Sequence, residues 1–235
     1  MIPKIIHYCW FGRNPLPESA QKCIASWRKF LPDYEIKEWN EDNFDVNIIP
    51  YTKEAYEAKK YAFVSDYARF WILYHYGGLY FDTDVEVIKP MDDIVERGAF
   101  MGLEIDGTQR GTKIAVNPGL GLGTEAKSLI YQDILAGFEK LDFYGADGQR
   151  NNYSMIPMVT EILLSKGLKV DGKVQTISGV TVYPVCYFNP YNDLIGKLNV
   201  TSETYSIHWY SATWMEPKTK WLMRIKRIFR SIIRL

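Results

Sequence analysis

An α/β domain built on a mostly parallel sheet flanked by helices is the fold class the sequence predicts, and three observations predict it. The chain opens with an apolar run, an amphipathic segment and an alternating run, which is the order strand, helix, strand. A longer periodic helix then stops at Gly77-Gly78, and a short apolar strand follows at once. That strand leads straight into Asp82-Thr83-Asp84, two carboxylates at the strand end where open α/β sheets place their ligands.

The elements follow in order. Lys4 to Trp10 starts behind Pro3 and stops at Phe11-Gly12, so it reads as a buried first strand. Pro17-Glu18 opens a helix that runs to about Phe30, with Cys23, Trp27 and Phe30 at helical spacing and Pro32-Asp33 ending it. Tyr34 to Trp39 alternates as a second strand, and Asn40-Glu41-Asp42-Asn43 turns away from its end. A short helix is expected over 53–60 and a longer one over Phe63 to Tyr76, whose Phe63, Tyr67, Phe70, Trp71 and Tyr74 form a broad apolar stripe. Leu79-Tyr80-Phe81, Val85 to Ile88, Ala99 to Glu104, Lys113 to Val116 and Val180 to Tyr183 are the further strand candidates. Asn117 to Glu125 carries three alternate glycines and reads as a bend, with Thr124 as the cap of a helix reaching about Lys140. A polar loop from Asp142 to Asn152 precedes a helix near Met155 to Ser165.

Composition narrows the class of protein. With 235 residues, 47% of them apolar, the chain supports one substantial core and is not a disordered segment. Three cysteines without metal-ligand spacing, together with no signal-like or long apolar segment, lead us to expect a reducing, cytoplasmic setting. Seven of the 28 basic residues fall between Lys218 and Arg234 with no acid among them, which leaves 21 bases against 28 acids in the body. Residues 1–217 are therefore read as one domain and 218–235 as a basic amphipathic helix. There Trp221, Leu222, Ile225, Ile228, Phe229, Ile232 and Ile233 recur at helical spacing. Such a helix suits an anionic membrane surface or the flank of the domain. The absence of a G-x-x-x-x-G-K-[ST] loop argues against P-loop phosphoryl transfer, and the lack of a basic surface interleaved with aromatic residues argues against nucleic-acid binding.

Candidate chemistry gathers around the two carboxylates. Asp82 and Asp84 would share a face in extended structure and converge on a hard cation, Mg2+ or Mn2+. Tyr80, in the same two-residue phase, can lay its ring beside that site and stack on a base or ribose. Asp66 and Arg69 lie three apart on one helix face. They are either a structural ion pair or a sugar-contacting pair in which the arginine fork steadies the carboxylates. Ser206 to Trp214 offers an imidazole, hydroxyls and two indoles in nine residues. Either His208 completes the metal shell while Thr213 and Trp214 donate to a phosphate, or the segment is an aromatic packing patch. Asn117 and the glycines after it are read as a turn or as a donor contact, and Asp106, Asn151 and Asn152 as acceptor contacts by proximity in the chain.

Together these residues resemble the glycosyltransferases that share a DXD sugar-binding region. That group contains yeast-type initiating α-1,6-mannosyltransferases, bacterial capsular and lipopolysaccharide sugar transferases and, more distantly, the large clostridial glucosylating toxins. The match runs from Ile2 to His7 with Trp10 and Gly12, through Ser65 to Arg69, to Tyr76 through Asp84, and thinly to His208 through Trp214. The resemblance implies a single GT-A type domain with a Rossmann-like sheet, a divalent cation, and transfer of a sugar from a nucleotide diphosphate with retention of configuration. By position it implies that Trp10 stacks on the base, Asp66 and Arg69 contact the donor sugar, Tyr80 and the main chain near Asp82 hold ribose, and Asp84 is the strongest metal ligand. A hexose or N-acetylhexosamine would pass from a UDP-sugar, expected ahead of GDP-mannose, to a glycan acceptor that is lipid-linked. The setting would be capsule, lipopolysaccharide or exopolysaccharide synthesis at the cytoplasmic face of the inner membrane. The rival reading is a catalytically weak module that binds sugar nucleotide or glycan.

Overall fold

A computed structural model describes residues 1–151 and 155–211. Asn152, Thr213, Trp214 and the basic segment 218–235 lie outside the described residues.

The first strand, β1 (Ile5–Cys9), is followed by helix α1 (Glu18–Phe30) and strand β2 (Glu35–Trp39), as the opening pattern predicts. Helix α2 (Pro50–Glu57) begins earlier than expected because Pro50 fits the first turn, where its missing N–H is no loss. Helix α3 (Tyr61–Tyr76) ends at Gly77, whose φ of 65° reverses the chain into β3 (Gly78–Tyr80). Then come β4 (Val85–Val87), α4 (Asp92–Val95), β5 (Phe100–Ile105), β6 (Ala115–Val116), a 3-10 turn at Pro118–Leu120 and β7 (Leu122–Thr124). The rest is α5 (Leu129–Phe138), α6 (Met155–Ser165), β8 (Gln175–Ile177), β9 (Val180–Tyr183), α7 (Val185–Phe188), β10 (Tyr191–Asn192), β11 (Lys197–Leu198) and β12 (Ser206–His208).

The central sheet has eight strands in the order β2-β1-β3-β7-β5-β9-β8, with β6 on β5. Strands β1, β2, β3, β5 and β9 run one way, and β6, β7 and β8 run against them. One core cluster joins the apolar stripe of α3 to α5 and α6 through Phe70, Tyr131, Ile134 and Phe138, and the other packs α1 with Trp27 under Phe81 and Val85. The sheet is thus covered on both faces, as an α/β layer requires.

Two expectations are corrected. Thr124 does not cap a helix: Leu122–Thr124 is a strand, and α5 begins only at Leu129 after Ser128. The glycines serve close packing there, since a Cβ on Gly123 would lie 2.2 Å from the Phe100 ring. Asp82 and Asp84 are also not on a pleated strand. They sit in the turn between β3 and β4, where the Val85 N–H donates to the Asp82 carbonyl at 3.0 Å. It is this turn, rather than strand alternation, that brings the two side chains together.

Candidate active site

The site lies at the ends of β1 and β3, which are parallel neighbours with His7 opposite Tyr80. Helix α3 passes behind them and delivers Arg69, which is 3% exposed. Its Nε–H donates to the Ser65 carbonyl one turn earlier at 3.1 Å, which fixes the plane of the guanidinium. The fork then takes both oxygens of Asp82, Nη2 to Oδ1 at 3.1 Å and Nη1 to Oδ2 at 3.3 Å, while Nη2 also reaches Asp66 Oδ1 at 3.0 Å. The pair is an ion pair, and the arginine fork also orients the first carboxylate of the turn.

Tyr80 lies beside the site as expected, but it is enclosed. Its ring is 1% exposed, with the Arg69 guanidinium 5.0 Å above it and its hydroxyl donating to Asp82 Oδ1 at 3.2 Å. Because β3 is buried on both faces, this ring supports Asp82 from beneath and offers no free face for stacking.

The second carboxylate is held by the end of the described chain. Strand β12 pairs antiparallel with β4, setting His208 opposite Val85. The Trp209 N–H then donates to the Asp84 carbonyl at 3.0 Å and the Ser211 N–H to Asp84 Oδ2 at 2.8 Å. His208 Nε2 is 3.2 Å from Asp84 Oδ1, while Nδ1 is buried without a hydrogen-bond partner. Tyr210 packs edge-on against the imidazole at 4.2 Å, and its hydroxyl donates to Glu104 Oε1 at 3.0 Å. Asp82, Asp84 and His208 each present a ligand atom within 4.8 Å of the others.

The electrostatics suit a cation. Burial raises Asp82, with Asp84 adding to it and Arg69 only partly offsetting them. Burial likewise lifts Asp66 to about 6 against the pull of Arg69. Burial would raise Asp84 too, but His208 and the Ser211 N–H outweigh it and hold the carboxyl below its usual range. For His208 burial is outweighed by the carboxylates of Asp84, Asp82 and Glu104, which hold it above the ordinary imidazole range. Two converging carboxylates with a His208 ring nitrogen within 4.8 Å of both fit Mn2+ or Mg2+.

The loop after β6 completes the wall. Asn117 Oδ1 accepts the Gly119 N–H at 2.8 Å, and a Cβ on Gly119 would lie 2.6 Å from Asp82 Oδ2. The predicted turn is therefore also pressed against the site, and only glycine fits it without moving the carboxylate. Trp10 continues β1, half-exposed, with its indole N–H donating to the Asn14 carbonyl at 2.6 Å. The Gly12 N–H donates to Glu41 Oε1, also at 2.6 Å.

Asp106 and Asn151 are not drawn into this network. Asp106 Oδ1 accepts from the backbone and hydroxyl of Thr108, and the Asn151 amide donates to the Asp142 carbonyl, so each stabilises its own loop. Sequence reasoning missed Tyr210, Glu104, Glu41 and the Ser211 amide. Their roles come from tertiary contacts across up to 127 positions, which leave no local spacing to read.

Fold and site together define a GT-A type α/β domain with an Asp-x-Asp centre. Residues 17–101 match the family described as "Glycosyltransferase sugar-binding region containing DXD motif". A curated relative is inositol phosphoceramide mannosyltransferase 1 of Schizosaccharomyces pombe, 31% identical over 111 residues, covering 43% of this chain and 33% of that protein. The match thus spans about a third of that relative's length. Among solved structures, the PaToxG glycosyltransferase superposes with a TM-score of 0.51 at 17% identity, over 71% of this chain and 70% of that one. A glycosyltransferase involved in glycosylating the major capsid of PBCV-1 gives a TM-score of 0.51 at 11% identity, over 94% of this chain and 100% of that one. These two likenesses concern the fold.

Proposed function

We propose that the chain is a retaining, divalent-metal-dependent glycosyltransferase that moves a hexose or N-acetylhexosamine from a nucleotide diphosphate sugar to a glycan acceptor. The observation that carries this reading is the convergence of Asp82, Asp84 and His208 beside the buried fork of Arg69. Bound there, Mn2+ or Mg2+ would offset charge on the departing diphosphate. The chain's own part is to hold the carboxylates in place. Arg69 and Tyr80 lock Asp82, the Ser211 amide and His208 lock Asp84, and Gly119 keeps the neighbouring backbone close. Asp66 would accept hydroxyls of the donor sugar, a role supported by its partial exposure beside Arg69.

Retention of configuration and polysaccharide synthesis as the setting rest on the family resemblance. A lipid-linked acceptor has further support, because the curated relative is named for a lipid acceptor, inositol phosphoceramide. The test is a panel of UDP- and GDP-sugars with Mn2+, Mg2+ or chelator, read as nucleoside diphosphate release, with the product anomer assigned by NMR. One preferred donor, loss of release on chelation and a retained anomer are expected. Release that chelation leaves unchanged, or an inverted anomer, contradicts the proposal. Donor binding without transfer points to the binding module instead.

A further inference from the structure

Resting on that function, the way the chain after β12 is held bears on how the site takes up its cation. Two backbone N–H groups converge there on one residue: Trp209 donates to the Asp84 carbonyl at 3.0 Å and Ser211 to Asp84 Oδ2 at 2.8 Å. Along an extended strand, amides two residues apart are separated by about 6.5 Å, which suits two partners better than one. The chain brings both onto one aspartate by curling at Tyr210, whose φ is 49°. That left-handed conformation is unfavourable for any residue but glycine, so something has to hold it.

The Tyr210 side chain supplies that hold. Its hydroxyl donates to Glu104 Oε1 at the end of β5 and lies 3.1 Å from Oδ1 of Asn189, the residue that follows α7. The Asn189 amide donates in turn to the Glu104 carbonyl at 3.3 Å, so the two anchors are themselves joined. The ring stands at 89° to the His208 imidazole, with centroids 4.2 Å apart. It therefore blocks the imidazole from swinging off Asp84 Oδ1, which Nε2 approaches to 3.2 Å. Tyr210 thus acts on both groups that steady Asp84, through its backbone on the Ser211 N–H and through its ring on His208. A glycine would make the same turn without strain, so what tyrosine adds is its side chain.

We infer that Tyr210 is a positioning residue for the metal centre: its hydroxyl tether to Glu104 sets the Ser211 N–H and the His208 ring on Asp84, and so governs how tightly the site binds its divalent cation. Groups one layer outside a metal commonly change its affinity by about tenfold to a hundredfold without touching it, because they fix the orientation of the ligands. Glu104 also faces His208 as a charge. The bond it makes and the charge it carries therefore have to be told apart.

The experiment is titration of the full chain with Mn2+ in the presence of UDP and GDP, read by electron paramagnetic resonance against the nucleotides without protein. Nucleoside diphosphate release from nucleotide sugars at rising Mn2+ is measured beside it. Tyr210→Phe keeps the ring and loses the tether, and should bind Mn2+ about tenfold or more weakly. The loss should appear as a higher Mn2+ concentration for half-maximal release, with kcat at saturating Mn2+ within about threefold. Glu104→Gln removes the charge but keeps an oxygen for the hydroxyl, and should stay within about threefold of the unaltered chain, whereas Glu104→Leu should match the Phe variant. Tyr210→Phe combined with Glu104→Leu should be no weaker than either alone, because both break one link. Circular dichroism checks each fold, and should the Phe variant not fold, the two Glu104 variants decide. Undiminished Mn2+ binding by a folded Tyr210→Phe, additive losses in the double variant, or Glu104→Gln as weak as Glu104→Leu overturns the assignment and leaves the transferase reading standing. No Mn2+ uptake by the unaltered chain overturns both.

Discussion

Arg69 is the residue on which the site's geometry turns. It is 3% exposed, and its fork serves Asp66 and Asp82 at once, so neither carboxylate has to face its neighbours unpaired. Arg69→Met keeps much of the volume but strands two partly buried charges. We expect a loss of about 3–5 kcal/mol in urea unfolding, more than a surface pair could give. A loss below about 1 kcal/mol would show that the two acids are hydrated in the folded protein. Asp66, Arg69, Asp82 and Asp84 were all legible in the sequence, because helix spacing and the double glycine declare them locally. Glu41 and Tyr210 were not, since nothing near either in the chain hints at the partner it meets.

At the scale of elements, His7 binds three pieces together. The Trp39 indole N–H donates to its Nδ1 at 3.0 Å, which leaves the ring proton on Nε2 facing the Gly77 carbonyl at 3.0 Å. One neutral imidazole thus ties β1 to β2 and to the end of α3, and burial lowers its pKa to about 4. The unfolded chain takes up this proton near the ordinary 6.5, before the folded one does. Stability from His7 is therefore complete above that value and is lost as pH falls toward 4, by about 3 kcal/mol. Denaturant unfolding at about pH 7.5 and about pH 4 checks this. The unaltered chain should lose about 2–3 kcal/mol more across that interval than His7→Gln does, and equal losses would contradict the assignment. The strongly patterned elements were readable for two reasons: α1, α3 and α6 bury a periodic stripe, and β1 and β9 are short, continuously buried apolar runs. Strands β7 and β12 were not. The first is glycine-rich, its pattern set by the Phe100 ring, and the second is three residues long and exists only by pairing with β4.

For the whole molecule, the charge distribution and the chain's direction matter most. The last described residues run along the carboxylate turn, and the basic segment 218–235 follows them shortly in the sequence. Among the described residues no helix is long and apolar enough to cross a membrane. We propose that this segment holds the enzyme at an anionic lipid surface, in keeping with a lipid-linked acceptor and with the inner membrane's cytoplasmic face as its place of work. Sedimentation with vesicles containing phosphatidylglycerol should pellet the full chain, and pelleting should fall at least severalfold on deletion of 218–235 or at high salt. Equal pelleting of the two forms would count against it.

The central claim is that Asp84, with Asp82 and His208, grips a cation that acts on a sugar nucleotide. The most direct test is nucleoside diphosphate release from the preferred donor by the unaltered chain and by Asp84→Ala, each with Mn2+ and after chelation. Release should fall by about a hundredfold or more in the variant and in both chelated samples, while circular dichroism shows the variant folded. Undiminished release by a folded Asp84→Ala stripped of divalent ions would contradict the account.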